Sequence, residues 1–138
     1  MRKTAYCLVA IILITAGMGA ASADNVTGAD KLLCSVNIAL LCTDDGECEA
    51  GTPWSMNLPE FIEVHISEKM LSTTKTSSEK RITPINHLGR SDGAIFVHGN
   101  QNGRAFSFVI TEETGMVTYA VAAETMVITG FGACLPRS

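Results

Sequence analysis

The chain has 138 residues, with 14 acidic side chains against 10 basic ones and a net charge of −4. The charges are scattered and form no basic cluster, which argues against nucleic-acid binding, because neutralising phosphates needs a Lys/Arg footprint. Hydrophobic residues make up 46% of the chain, enough to build a core in one domain of ordinary size.

Residues 1–23 have the three-part layout of a secretory signal. Arg2 and Lys3 lead, an apolar run follows at 8–15, and small residues end in Ala21-Ser22-Ala23. Cleavage is expected before Asp24. The alternative is an uncleaved N-terminal anchor, although the apolar run falls short of the roughly 20 residues that span a bilayer. Cys7 lies between Tyr6 and Leu8 inside the signal and does not have the surroundings of a lipid attachment site. The predicted protein is therefore exported, periplasmic or secreted, with no stable membrane insertion after cleavage. Without Arg2 and Lys3 it is more acidic still. Residues 24–31 read as a flexible lead-in, and 32–138 as a single β-barrel domain. Asn25-Val26-Thr27 matches a glycosylation sequon, which matters only in a eukaryotic host.

Beyond the signal lie Cys34, Cys42, Cys48 and Cys134. An even count in an exported chain implies disulfides, with three possible pairings. Topology favours Cys42–Cys48, which flank the polar turn Thr43–Glu47, and Cys34–Cys134, in the first and last strands. In a barrel those two strands are neighbours. The spacing does not match the close Cys pairs of zinc sites, and there is no C-x-x-C redox motif.

No stretch after residue 23 sustains a helical period. Short runs rich in Val, Ile, Phe and Thr, separated by turn residues, predict strands near 32–42, 47–51, 61–67, 70–75, 80–89, 94–101, 104–111, 116–122 and 126–134. The acidic turn Asp44, Asp45, Glu47 and Glu49 offers a cation or a basic partner something to bind, but such turns are usually just solvated. Residues 52–60 contain two prolines and form the longest irregular connection. Ser72 to Ser78 reads as a flexible strand end or loop.

The C-terminal half fixes a register. Asn102-Gly103 is a two-residue hairpin turn, which sets Val97 opposite Phe108, Ile95 opposite Ile110 and Gly99 opposite Phe106. A four-residue loop at Glu112-Glu113-Thr114-Gly115 then sets Phe108 opposite Tyr119, Ile110 opposite Val117 and Phe106 opposite Val121. Register and apolar face agree. Gly115 is the natural residue for a left-handed backbone at the end of that loop. The last hairpin is ambiguous, since Met126/Ile128 and Val127/Phe131 are both apolar. That pattern implies burial on both faces or a contact surface on one. Consecutive hairpins predict an all-β, antiparallel up-and-down meander. It curls into a small barrel of about eight strands or a barrel-like sandwich.

Chemistry-bearing motifs are scarce. His65 alternates with Ile62, Val64 and Ile66 and so points away from its strand's core. His98 lies on the less apolar face of its hairpin, and His87 beside Asn86. None has metal-ligand spacing, and surface histidines are the plainer reading. No serine sits in a nucleophile-elbow motif, and no cofactor loop is present. Trp54, in the irregular connection, either caps the core or anchors a ligand or partner. Arg90 and Arg104 offer carboxylate-binding groups, though isolated surface arginines are ordinary. The candidate binding surface is Trp54 with Arg90, Ser91 and His98.

Several features occur together: the export signal, Cys–x7–Cys–x5–Cys, Asn57-Leu58-Pro59-Glu60-Phe61-Ile62, Gly103-Arg104-Ala105-Phe106, Glu113-Thr114-Gly115-Met116-Val117-Thr118 and Gly132-Ala133-Cys134. They resemble those of small uncharacterised exported proteins of Gram-negative bacteria. That resemblance implies a periplasmic, disulfide-bonded β fold and no particular activity. Ser91-Asp92-Gly93-Ala94-Ile95-Phe96 is loosely similar to the inhibitory segment of periplasmic inhibitors of C-type lysozymes. Asp92 intrudes between serine and glycine, and the aromatic-plus-lysine follow-up is missing, so Ser91 alone carries over.

The expectation is a non-enzymatic binding or interaction module without metal or organic cofactor, taking a small molecule or a protein partner. Two alternatives differ in class. One is an inhibitor of a lysozyme-type hydrolase, acting through Ser91. The other is a small hydrolytic enzyme using His98 or His65.

Overall fold

The structure, a computed structural model, describes residues 24–138; the signal expected at 1–23 lies outside the described residues. The fold is all-β and antiparallel. Ten strands form one sheet: β1 (Lys31–Thr43), β2 (Cys48–Gly51), β3 (Phe61–His65), β4 (Met70–Thr73), β5 (Ile82–Pro84), β6 (His87–Ser91), β7 (Ala94–Gln101), β8 (Arg104–Thr111), β9 (Met116–Ala122) and β10 (Met126–Pro136). Nine run in the order β5-β4-β3-β1-β10-β9-β8-β7-β6, and β2 pairs with β1 beside that row.

The row curls because its two ends are consecutive in the chain. β5 and β6 are joined only by Ile85 and Asn86. Ile85 N donates to Lys69 O (2.9 Å) on one side, and Asn86 N donates to His98 O (2.9 Å) on the other. The single strand expected at 80–89 is therefore two half-strands, one bonded to β4 and the next to β7. Counting them as one bent strand, about eight strands ring the interior, the size at which side chains fill most of a barrel. The sheet is continuous and barrel-like rather than split into two layers.

The hairpin registers are those read from the sequence. β7 and β8 place Val97 opposite Phe108, Ile95 opposite Ile110 and Gly99 opposite Phe106. β8 and β9 place Phe108 opposite Tyr119, Ile110 opposite Val117 and Phe106 opposite Val121. Asn102 and Gly103 both take positive φ (52° and 75°), as a type I′ turn requires. Ile95, Val97, Phe108 and Ile110 are all buried. In β10, Ile128 and Cys134 face inward, while Val127 and Phe131 stand outside, so the ambiguous hairpin leaves an exposed apolar face.

β1 spans the length of the barrel and pairs with β10 throughout. Asn37 is an extra residue between Val36 and Ile38, and such a bulge reverses which side chains point inward. Val36 and Ala39 are therefore both buried, and Ile38 is turned out. Gly130 and Gly132 of β10 lie against this bend. A Cβ on Gly130 would lie 1.9 Å from Ile38 O and 2.5 Å from the Tyr119 hydroxyl. That closeness lets the Tyr119 hydroxyl donate to Ile38 O at 2.8 Å. Burial pushes the Tyr119 phenol up to about 12.

Both disulfides join residues directly opposite each other in register, Cys34–Cys134 across β1/β10 and Cys42–Cys48 across β1/β2. The first is buried in the core, with Cys34 at 3% and Cys134 at 1% exposure. Two disulfides are compatible with an oxidising, exported compartment.

The lead-in at 24–31 is tied to the barrel at two points. Val26 is fully buried, and its N–H donates to Glu112 O (2.7 Å). Asp30 accepts from the Ser67 backbone and hydroxyl at 3.0 and 2.9 Å. One apolar side chain, flanked by polar residues in the sequence, seals this end of the barrel. The stretch at 72–78 is a strand end running into a loop, with Ser72 and Thr73 completing β4. Beyond them, Lys80 Nζ donates to the carbonyls of Thr74, Lys75 and Ser77.

Candidate functional site

The two ends of the barrel are unlike. At the end sealed by Val26, the β6–β7 and β8–β9 turns pack against the lead-in, and Gly115 N donates to Thr111 O at 2.8 Å. Gly115 has the predicted positive φ of 67°, and a Cβ there would lie 2.3 Å from Cys134 O. The other end is open. Between the Asn102-Gly103 hairpin tip, β4–β5 and the 57–59 segment lies a cavity of about 590 Å³. That volume falls within the range of roughly 300–1,000 Å³ usual for small-ligand sites.

The strand period builds this mouth. Arg104, Phe106, Phe108 and Ile110 alternate along β8 on the inward face, so Arg104 is the last inward residue before the turn. Gly99, opposite Phe106, leaves room for the ring to lie across it; a Cβ there would meet Phe106 Cζ at 2.3 Å. Phe106, Phe108 and Val121, with Leu71, Ile62 and Leu58 from the far wall, give the cavity an apolar floor. Its rim carries Lys80, Arg81 and Arg104, and no carboxylate is among its lining residues.

Arg81 straps the rim together. Its guanidinium donates to Asn57 O (2.9 Å) and Asn57 Oδ1, and Nε donates to Glu79 Oε2 (2.8 Å). Asn57 ends a short 3-10 turn, Trp54–Met56, with φ 55°. Thr83 Oγ1 donates to Gln101 Oε1 (2.6 Å) and Gln101 Nε2 to Ile82 O (3.1 Å), tying β5 to the hairpin tip. The Arg104 side chain has no hydrogen-bond or ion-pair partner among the described residues.

The candidate surface read from the sequence does not assemble in one place. Trp54 belongs to the segment that supplies Asn57 and Leu58 to the mouth, but its side chain is 70% exposed and caps nothing; Met56, 8% exposed, covers the core instead. Arg90 and Ser91 are at the opposite end. Arg90 donates to Glu112 Oε1 (2.8 Å) and Ala29 O (3.1 Å), so it holds the lead-in in place. Ser91 is exposed beside the tight turn at Asp92 and Gly93, whose φ values are 52° and 73°. His98 lies on the outer face, stacked at 6.0 Å on His87, the residue directly opposite it.

His65 also points outward but is largely covered. Its Nε2 lies 2.9 Å from Ser72 Oγ and 3.5 Å from Glu63 Oε2, and Arg137 pairs with the other Glu63 oxygen. Glu63 is 6% exposed, and nothing in the local sequence signals that burial. Serine and carboxylate both approach the same ring nitrogen. A nucleophile–base–orienter triad instead puts its carboxylate on the other nitrogen. The chemistry this cluster suits is anchoring the C-terminus, where Arg137 N also donates to Lys31 O (2.9 Å). In the acidic turn, Asp45 accepts from Thr43 Oγ1 and from Glu47 N (3.2 Å), which holds its carboxyl below the usual range.

Among the described residues, no group of three or more His, Cys, Asp or Glu side chains is placed to hold a metal ion. No described helix is long and apolar enough to cross a membrane. Comparisons with protein-family models, curated proteins and solved structures found no match to this chain.

Proposed function

We propose that the protein is an exported, non-enzymatic binding module whose working surface is the open barrel mouth. One observation carries this reading: the fold seals one end with Val26 and leaves at the other an apolar-floored cavity of about 590 Å³ with a polar rim. Largely preformed apolar pockets with a few placed polar groups are the usual form of small-molecule sites. The mouth is also braced: the Arg81–Asn57 and Thr83–Gln101 contacts hold its walls at set positions. Preorganisation of that kind lowers the entropy cost of binding.

The test is equilibrium binding of phenylnaphthylamine, a neutral probe that fluoresces in apolar sites, to disulfide-intact protein from the exported fraction of producing cells. Saturable one-to-one binding is expected, weakened at least several-fold by Thr83→Trp, which adds bulk at the rim and removes the Thr83–Gln101 brace. Absence of saturable binding overturns the reading. So does hydrolytic turnover lost on His65→Ala or His98→Ala, or stoichiometric inhibition of a lysozyme lost on Ser91→Ala.

A further inference from the structure

The charge at the mouth opposes the charge of the chain. The protein is acidic overall, yet the cavity lining contains Lys80, Arg81 and Arg104 and no Asp or Glu. Two of these cations have structural duties. Lys80 is occupied with the carbonyls of its own loop, and Arg81 is bound to Asn57 and partly neutralised by Glu79. Arg104 has neither duty nor partner among the described residues. A lone cation lining the same cavity as Phe106 and Phe108 stabilises nothing in the fold that the structure reveals.

We infer that the mouth takes an amphipathic anion, with an apolar tail on the Phe106–Phe108–Val121 floor and a carboxylate or phosphate head at Arg104. This rests on the mouth being the working surface, and adds the ligand's chemical class. A guanidinium presents a planar fork of donors that suits carboxylate and phosphate oxygens. Positive charge converging at the lip of an apolar cavity raises the local concentration of anions over other solutes. A neutral amphiphile would gain only the floor, and a cationic one would face repulsion at the rim. A free fatty carboxylate and an anionic lipid head share this chemistry.

The test uses the disulfide-intact exported protein loaded with phenylnaphthylamine. Laurate, dodecyl maltoside and dodecyltrimethylammonium, each below its micelle concentration, compete for the probe. Laurate is expected to displace it about tenfold more tightly than the other two. Arg104→Gln should remove that preference and Arg104→Lys should retain it, on the scale of a charge-assisted hydrogen bond at a partly exposed site. Far-UV circular dichroism and a melting temperature equal to those of the wild type show that both variants remain folded. Co-sedimentation with phosphatidylglycerol vesicles, reduced in Arg104→Gln, identifies a lipid source; laurate displacement without vesicle binding identifies a free acid. Equal displacement by all three amphiphiles overturns the inference while leaving the mouth as a binding site. Failure of the probe itself to bind removes the reading beneath it.

Discussion

The two disulfides differ in the stability they should confer, and the structure predicts by how much. Cys34–Cys134 closes a loop with a sequence separation of 100, and Cys42–Cys48 one of 6. In the chain-entropy treatment the first constrains the unfolded chain by about 4.7 kcal/mol and the second by about 2.4 kcal/mol. Burial widens the gap. Cys34 and Cys134 lie in the core, so alanines there also lose packed sulfur atoms, whereas Cys48 is exposed and Cys42 half-buried. The double variant Cys34→Ala/Cys134→Ala should therefore lose about 5 kcal/mol, a large share of a small domain's total stability. Cys42→Ala/Cys48→Ala should lose about 2 kcal/mol and still fold. Urea unfolding followed by far-UV circular dichroism suits the comparison, because Trp54 is already exposed in the native state and its fluorescence would report little. Equal losses, or a larger loss from the hairpin pair, would refute the ranking of the two bridges by loop length and burial.

Gly130→Ala should destabilise the protein by about 3 kcal/mol, the upper part of the usual overpacking range, because its Cβ would meet backbone that cannot move aside; thermal melting checks this, and a neutral effect would mean that the β1 bulge yields. Tyr119 contributes a pH dependence: its phenol is raised from 10.0 to about 12 by burial. The raised value makes that contribution complete below pH 10 and lost progressively as pH climbs from 10 toward 12. Denaturation measured across that window should show the alkaline loss in the wild type and less of it in Tyr119→Phe; parallel curves would contradict the assignment.

The legible parts of the sequence were those governed by local chemistry. Asn102-Gly103 determines its own turn, and the alternation on either side then leaves only one register that buries Phe108 and Ile110. The same logic reached Gly115 and both disulfide pairings. What escaped was decided by curvature. Asn57, Arg81 and Arg104 belong to three separate segments, and only the curl of the sheet brings them to one rim. The exchange of partners at Ile85-Asn86, which produces that curl, reads in sequence as one uninterrupted strand. The burial of Val26 has no sequence signal, because a single apolar residue among polar ones has no period. Trp54 is the large aromatic of its segment, yet Met56 does the covering. Arg104 was visible as an isolated arginine, and its inward position follows from counting back along β8 from Phe106. Its significance depends on the absence of carboxylates around it, a property of the assembled mouth.

The central claim is that the barrel mouth is the working surface, and amide NMR of the isotope-labelled, disulfide-intact protein titrated with phenylnaphthylamine tests it most directly. Saturable shifts are expected at Leu58, Leu71, Thr83, Gln101, Arg104 and Phe106, with Arg90, Ser91 and Phe131 unmoved. Shifts gathered instead at the Ser91 turn, or along the outer apolar face at Ile38 and Phe131, would contradict it.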